Sequence, residues 1–550
     1  MADEDGKNSS SPQDPSLKAR DRLEQVQNHV SAPQPNSSKR RRRKEKKDEL
    51  PRDYSDILGQ IKTLQGIANT PGLGDPNHRG YNRQKQSGKL WVRERVEALL
   101  DAGSFREVGS VSGTVAWKKV GEGREEPTEF IPSNNVQGFG KLRGRPIVFT
   151  ADDFSLRAGH ADGSLMAKTW YLEKLAVALK LPMIKLVDGS SGGGSVTTIT
   201  KTGYSYLPTV VTFEHVAKQL NLGIPNLGAV LGPAIGLGAA RVACCHFSVM
   251  AGDIGSLFNA GPNVVAGATF EEGLSFTELG GPQMHCTNGT IDNLAANELE
   301  CFEQIRTVLG FLPNCGTQIP PTIACDDPID RRDLGLRTII PRARERMYDA
   351  RKVITMTVDE GSWFEIGALW GTTAICGLAR MGGMPVGVIT LNCEVNAGAI
   401  DAAGSQKLTK HLKFLDIFNI PLIQFIDVPG YAIGTIAERT GTMKHGIWLA
   451  QAYYGTTMPV FTVVTRRAYG VAGGIMVACR EPAFRVGWPS GEWGSLPLAG
   501  GIEVGHSFEL KEIERTKGIE ARKQRYRELD EEYRRFMNPV RTGKSTLAIS

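Results

Sequence analysis

Two short apolar stretches of the chain share one pattern. Residues 182–188, PMIKLVD, and 421–427, PLIQFID, each begin with proline, continue through mostly apolar positions and end in aspartate. Apolar runs of roughly four to eight residues bounded by proline or glycine are typical of buried strands. Each stretch leads directly into a glycine-containing loop, GSSGGGS at 189–195 and VPGYAIG at 428–434. The pattern predicts one strand-and-loop unit that occurs twice.

A second apolar stretch follows each loop and ends in small residues, at 227–245 and 460–480. Between loop and second stretch, residues 210–220 and 434–454 space their apolar side chains as a helix does. The order strand, loop, helix, strand, loop, helix therefore occurs twice, and it predicts two α/β domains of similar design.

We place the first domain at 55–315 and the second at 320–541, joined through the proline- and aspartate-rich segment 313–332. Residues 1–52 are rich in serine, proline, asparagine and glutamine and have too little apolar content to fold, so they are expected to form a disordered leader.

The net charge of +6 comes from one short run in that leader. Lys39 to Lys47, KRRRRKEKK, holds eight basic residues and one acid, which leaves the rest of the chain nearly neutral. Nucleic-acid binding by the folded part is therefore not expected. The run is typical of a nuclear-import signal or polyanion contact, and equally of a solvated tail.

The N-terminus, MADEDGKNSSS, has no apolar region of a secretory signal, and no long apolar run follows. We expect a cytoplasmic protein without membrane contact, with a mitochondrial location left open. The nine cysteines form no C-x-x-C pair, so free thiols and no metal site are predicted.

Residues 189–193 match the G-x-S-x-G elbow of serine hydrolases, which makes Ser191 a candidate nucleophile with His246, His285 or His445 as partner. The second loop, VPGYAIG, has no serine between glycines. Both loops instead share backbone freedom, which lets amide N–H groups point into a cavity. Two such loops predict two oxyanion holes, and the hydrolase is kept as an alternative.

Longer motifs in the same order resemble the carboxyltransferase (β) subunits of biotin-dependent acyl-CoA carboxylases, of the propionyl-CoA, acetyl-CoA and methylcrotonoyl-CoA carboxylase type, within the crotonase-like superfamily. The resemblance extends from about Tyr54 to Arg541. It rests on LWVRERVEALLDAGSFREVG, LVDGSSGGGSV, GPAIGLGAA, GPNVVAGATFEEGLSFTELGGPQMH, GAIDAAGSQKLTKHLKFLDIFNIPLIQFIDVPGYAIG and TVVTRRAYGVAGGIM.

The resemblance implies two tandem crotonase-like ββα spiral domains and transfer of a carboxyl group from carboxybiotin to the α carbon, or the vinylogous position, of a short acyl-CoA. One oxyanion hole is expected to hold the thioester enolate and the other the ureido oxyanion of biotin. Biotin itself serves as base, so no nucleophilic side chain is required.

Matching motifs assign the residues of both holes. The acyl-CoA hole takes the amides around Gly192, Gly193, Gly236 and Leu237. The biotin hole takes Val471 and Ala472, with Gly430, Tyr469, Gly470 and Gly474 as binding neighbours. Lys168 is expected near the phosphates or adenine of CoA, with an exposed helical lysine as the alternative.

Two positions differ from what is common in the family: Val471, within the pattern Y-G-G-A-Y-x-x-M, and Gly474, two positions beyond Ala472. Val471 adds a branched side chain beside the second hole, and Gly474 replaces a residue that shapes the acyl pocket. An altered, roomier acyl site is expected, and the acyl group itself is left open.

The chain has no AMKM-like biotinylation site and no room for a biotin carboxylase domain. The resemblance thus implies a partner α-subunit that carries biotin and a hexamer of this chain. Two alternatives stay open. One is an acyl-CoA decarboxylase that runs the transfer backwards. The other is a non-catalytic paralogue with a binding or regulatory role.

Overall fold

The computed structural model describes residues 51–121, 124–159, 166–190, 199–200, 203–205, 210, 212–479 and 484–542. The basic run Lys39–Lys47 and the glycines Gly192 and Gly193 lie outside the described residues.

The strands are β1 Arg106–Glu107, β2 Gly113–Gly121, β3 Arg124–Pro132, β4 Asn135–Leu142, β5 Arg145–Asp152, β6 Met183–Gly189, β7 Asn226–Ile235, β8 Phe247–Ala251, β9 Ser256–Phe258, β10 Asn293–Ala295, β11 Phe364–Ile366, β12 Ala374–Met381, β13 Met384–Leu391, β14 Leu422–Val428, β15 Val460–Tyr469, β16 Phe484–Gly487 and β17 Glu492–Gly494.

The helices are α1 Ser55–Asn69, α2 Arg79–Gln86, α3 Val92–Leu99, α4 Met166–Leu179, α5 Thr212–Asn221, α6 Leu237–Ala243, α7 Pro262–Thr269, α8 Phe276–Gly280, α9 Pro282–His285, α10 Glu298–Phe311, α11 Ala350–Thr355, α12 Ala402–Ile417, α13 Thr435–Arg439, α14 Thr442–Gly455, α15 Gly470–Val477, α16 Leu498–Gly505, α17 Ser507–Lys517, α18 Ile519–Phe536 and α19 Pro539–Thr542.

Two large sheets have the same strand order. The first runs β1-β4-β5-β6-β7-β8-β10, with β9 also beside β7. The second runs β11-β12-β13-β14-β15-β16, with β17 also beside β15. In both, a short antiparallel edge is followed by parallel strands. Two α/β halves of one design, expected from the repeated pattern, are confirmed; the exact domain boundaries stay a prediction.

The central strands are buried on both faces. All seven residues of β6 are buried, and so are all but one of β14. Parallel strands covered by helices on both sides read as continuous apolar runs, which is the pattern visible in the sequence. The two strands predicted to start the repeat are therefore central strands of the two sheets.

The two halves share one hydrophobic core. Phe247 and Phe302 of the first half and Leu415 and Phe418 of the second belong to the same buried cluster. Lys410 of α12 forms an ion pair with Asp292 of the first half. The helices that cover each sheet thus also hold the halves together.

One predicted helical segment is divided. Residues 434–454 form α13 and α14, which separate at Thr440 and Gly441. Gly441 adopts a positive φ, a conformation that apolar spacing does not reveal. None of the helices in the described ranges has the length and apolar content needed to cross a membrane.

Candidate active site

The two strand-to-helix turns occupy the same place in the two sheets. Gly189 at the end of β6 pairs with Ala234 of β7, and Val428 at the end of β14 pairs with Ala468 of β15. Two residues after Ala234 comes Gly236, and two residues after Ala468 comes Gly470. The register therefore makes Gly236 equivalent to Gly470 and Leu237 equivalent to Val471.

In the first half, Gly236 has φ 54° and its N–H donates to the carbonyl of Phe258 at 3.0 Å. A left-handed residue at this place redirects the chain into α6 without a Cβ penalty. Gly236 therefore shapes the turn, but its N–H is not available to a substrate, contrary to the motif match.

The first amide of α6 is the available donor. Leu237 is half-buried, and its N–H meets no acceptor among the described residues, whereas the N–H of Gly238 donates to the carbonyl of Ser190 at 2.9 Å. The N-terminal N–H groups of a helix have no intrahelical partner and favour negative charge. Leu237 can thus donate to an oxyanion, while Gly192 and Gly193 lie outside the described residues.

In the second half, Gly470 has φ 64° and α15 follows. The N–H groups of Val471 and Ala472 meet no acceptor among the described residues. Ala472 is buried, and the Val471 side chain is 66% exposed, so the branched chain points away from the core and leaves the local turn intact. Tyr469 is buried, so its ring lies beneath the turn and is not presented to solvent.

The loop after β14 is tied to the segment before α12. The N–H of Ile400 donates to the carbonyl of Gly430 at 3.1 Å, and the N–H of Ala432 donates to the carbonyl of Ile400 at 2.9 Å. A Cβ at Gly430 would find no atom within 4 Å. Gly430 thus borders open space beside the second turn.

An apolar cleft of about 270 Å³ lies beside α15. Gly474 is on its wall, and a Cβ there would find no atom within 4 Å. The cleft is lined by Val464, Ala468, Gly470, Gly473, Gly474, Val477, Ala478, Arg485, Trp493, Gly494 and Thr542. The absence of a side chain at Gly474 therefore leaves room that a larger residue would fill.

Lys168 lies on α4 in a separate pocket whose lining includes Arg93, Glu107 and Ser112. Its side chain is close enough to Gly109 that a Cβ there would lie 3.2 Å from Cε. Burial lowers the pKa of Lys168 to about 8, with Glu107 opposing that shift. The lysine is thus a half-buried cation in a polar pocket and not a solvated helical residue.

Two buried aspartates were not among the predicted site residues. Asp188 contacts Lys89 and Arg95, and Asp427 contacts Arg466 and Arg467. Each lies directly before its loop. The repeated aspartate was visible in the sequence, but its cationic partners are far along the chain or on the neighbouring strand.

Two of the three histidines considered as partners of Ser191 pack against aromatic rings. The ring of His246 packs on Phe418 of the other half, with 4.8 Å between centroids, and burial lowers the pKa of His246 to about 3. His445 packs on Trp448 at 5.1 Å. Ser191 lies outside the described residues. Across those residues no group of three or more His, Cys, Asp or Glu side chains is placed to hold a metal ion.

Two strand-to-helix turns, each presenting helix-start amides, thus lie at equivalent places in the two α/β halves. Residues 83–548 match the carboxyl transferase domain, and the chain belongs to that family.

Curated relatives include the methylmalonyl-CoA decarboxylase subunit alpha of Veillonella parvula, 32% identical over 77% of this chain and 81% of that protein. The mitochondrial propionyl-CoA carboxylase beta chain of Sus scrofa is 31% identical over 78% of each. The crystal structure of transcarboxylase 12S, described as a hexamer assembly with methylmalonyl-coenzyme A bound, matches with a TM-score of 0.75. It is 27% identical and covers 90% of this chain and 91% of that one. The carboxyltransferase family implied by the sequence motifs is confirmed, and the hydrolase alternative is not supported.

Proposed function

We propose that this chain is the carboxyltransferase subunit of a biotin-dependent acyl-CoA carboxylase. The observation that carries the proposal is the equivalence of the turns at Gly236–Leu237 and Gly470–Val471, each of which ends in amide donors without acceptors among the described residues. A reaction with two separate developing negative charges requires two such sites. The family and its propionyl-CoA carboxylase members support this chemistry.

The proposed roles of the amides follow the motif match. The N–H of Leu237, with those of Gly192 and Gly193, holds the thioester oxygen as negative charge develops on it. The N–H groups of Val471 and Ala472 bind the carbonyl oxygen of the biotin ring. Biotin, when bound, supplies the carboxyl group and the base. Because these donors are fixed by the start of a helix, little reorganisation is needed during the reaction.

Lys168 is proposed to contact the phosphates of CoA. A half-buried ammonium group among serine hydroxyls fits a phosphate better than it fits an acyl chain. The cleft beside Gly474 is proposed to receive the acyl group, and its apolar lining favours an alkyl chain over a polar one.

We also propose that a second copy of the chain completes each site and that a separate subunit brings biotin. Several large apolar side chains are exposed, including Phe270 at 84% and, in the loop after β14, Ile433 at 92%. Exposed apolar groups around a site are typical of surfaces that another chain covers. The hexamer described for transcarboxylase 12S supports an assembly of this kind.

The decisive experiment measures carboxyl transfer directly. The full chain is incubated with free biotin and a series of carboxylated acyl-CoAs, and the decarboxylated acyl-CoA is quantified by chromatography. We expect turnover that depends on biotin. Leu237→Pro removes the N–H at the first helical position, where proline is tolerated, and is expected to lower kcat by roughly 100-fold. Leu237→Ala keeps the N–H and serves as the matched control.

Decarboxylation in the cell is a second candidate, favoured by the 32% identity to the Veillonella parvula subunit. The same turns serve both directions, so the two functions differ in partner and flux. Co-purification of the chain with a biotin carboxylase supports the carboxylase, and co-purification with a biotin carrier alone supports the decarboxylase. A chain that binds acyl-CoA yet turns over none of the series would identify the non-catalytic paralogue.

A further inference from the structure

Each half buries one aspartate at the strand end directly before its loop. Asp188 and Asp427 are both fully buried, so neither reaches a substrate. The carboxylates point into the protein, towards cationic side chains. Buried charges of this kind persist only where paired and hydrogen-bonded, and breaking one pair is costly.

In the second half, Asp427 is held by three side chains. Arg466 approaches Oδ2 at 2.9 Å, Arg467 Nε donates to Oδ1 at 2.6 Å, and the Tyr348 hydroxyl donates to Oδ2 at 3.1 Å. Arg467 also donates to the carbonyl of Ala397 at 2.8 Å. Asp427 thus links the end of β14 to β15 and to the segment before α12.

The contacts of Asp427 lie at a β-bulge between β14 and β15. Ile426 pairs with Val464, but Val428 pairs with Ala468, so β15 carries two more residues than β14 across this step. Arg466 and Arg467 are in that extra segment. A bulge next to a site changes the direction of the strand end, and here the strand end leads straight to Gly470.

The first half has the same bulge with other partners. Val187 pairs with Val230, and Gly189 pairs with Ala234, so β7 carries the extra residues. Arg95 binds Asp188 at 2.8 Å and the carbonyl of Leu231, within the bulge, at 2.8 Å. A Cβ on Gly232 would lie 2.0 Å from Asp188 Oδ1, so the carboxylate occupies the space that the bulge opens.

We propose that Asp427, and Asp188 in the other half, are positioning residues that hold the bulge and thereby aim the amides of the following turn. The proposal rests on the proposed function for its effect on rate. A buried aspartate is paired in both halves with different cationic partners, while the register shift between the two strands is the same. The feature that the two halves have in common is therefore the direction in which the strand end enters the turn.

The test compares two changes in the second half. Asp427→Asn preserves the shape of the side chain and removes its charge. Arg467→Gln removes the ion pair between Arg467 and Asp427 and leaves the ion pair with Arg466 in place. We expect each to lower kcat for biotin-dependent decarboxylation by about 100-fold, since small displacements of aligned groups have effects of that size. The Kd for CoA without an acyl group, whose phosphates are proposed to contact Lys168 in the first half, is expected to stay within two-fold of wild type. Arg467→Lys should recover much of the rate.

Hydrogen exchange tests the same variants by a measurement that does not depend on catalytic activity. Hydrogen exchange of residues 468–477 is expected to accelerate in both variants, while exchange of α12 stays unchanged. Glu365→Gln is the control, because Glu365 forms a two-pronged ion pair with Arg351, at 2.7 and 2.6 Å, in the same half but away from β14 and β15.

The outcomes separate the two proposals. A wild-type chain without turnover would refute the proposed function, and exchange at 468–477 would still test the positioning role. An active wild type whose Asp427 and Arg467 variants lose no more rate than Glu365→Gln, with unchanged exchange at 468–477, would overturn the inference. If Asp427→Asn does not fold, the Arg467 variants alone decide.

Discussion

Leu237 and Val471 hold equivalent positions in the two halves: each follows a left-handed glycine at a strand end and presents an N–H in the first turn of a helix. The side chains differ in exposure, with Leu237 half-buried and Val471 66% exposed. The shared property is therefore the backbone donor. A substituted side chain at Val471 is compatible with an intact second site.

The backbone role of Val471 makes a specific prediction. Val471→Pro removes the N–H, whereas Val471→Ala keeps it and removes the branched side chain. We expect roughly 100-fold lower kcat for the proline variant and less than a two-fold change for the alanine variant. Steady-state kinetics with free biotin check this, and equal losses in both variants would contradict the backbone role.

Gly474 is predicted to set the size of the acyl group. Gly474→Leu has open space for its side chain and narrows the cleft of about 270 Å³. The KM for longer acyl-CoAs should rise by about ten-fold, because losing the room for one or two methylene groups costs about that much. Short acyl-CoAs should be unaffected. Gly500→Leu, at another helical glycine with no atom within 4 Å of its Cβ, is the control.

Lys168 predicts a pH dependence of acyl-CoA binding. Burial lowers the pKa of Lys168 to about 8, so the ammonium loses its proton as the pH rises through that value. Affinity for CoA should therefore fall above pH 8. Lys168→Ala should raise the KM for acyl-CoA by roughly ten-fold at pH 7 with kcat unchanged, since one charge-assisted hydrogen bond is lost. Isothermal titration across pH 6.5 to 9.5 measures the affinity, and steady-state kinetics at pH 7 measure KM and kcat.

Two variants test that assignment. Lys168→Arg should keep affinity and abolish the decline above pH 8, because arginine stays charged. Lys174→Ala, at an exposed lysine on the same helix, should bind acyl-CoA as the wild type does. A pH profile of Lys168→Arg that matches the wild type would refute a role for the ammonium group.

His411 predicts acid sensitivity of the fold. It is 4% exposed, and burial lowers its pKa to about 3, below the ordinary value of 6.5. Between these values the unfolded chain binds a proton that the folded chain does not, so stability falls as the pH falls below 6.5. The expected slope is about 1.4 kcal/mol per pH unit. Melting temperatures from pH 7.5 to 5 measure it.

The His411→Phe variant should melt with a shallower dependence on pH, since phenylalanine keeps a ring against Phe414 without titrating. His506→Gln, outside the shared core, is the comparison. An unchanged pH slope in His411→Phe would show that other groups govern acid unfolding.

The basic run Lys39–Lys47 can be tested as a nuclear-import signal by following where the protein is located in the cell. Deletion of these residues from a fluorescent fusion should move a nuclear pool to the cytoplasm if the run is an import signal. Neutral replacement by serine and glycine of equal length controls for leader length. An unchanged distribution supports a solvated tail.

Much of the fold could be predicted from pattern alone. The strands 182–188 and 421–427 agree with β6 and β14 to within one residue at each end, because strands buried on both faces need continuous apolar runs. The break at Gly441 was missed, because glycine does not interrupt apolar spacing. The motifs also indicated the family and the two turns.

The sequence by itself determined the duplication, the carboxyl transferase family and the glycines that the turns require. Only the tertiary structure decided which amides remain available. The N–H of Gly236 donates to the carbonyl of Phe258, whereas the N–H of Leu237 meets no acceptor among the described residues. It also placed Lys168 in a pocket and joined Asp427 to Arg466 and Arg467. The reason is physical: hydrogen-bond partners and burial depend on strands that meet in space, whereas local pattern records only what each segment prefers.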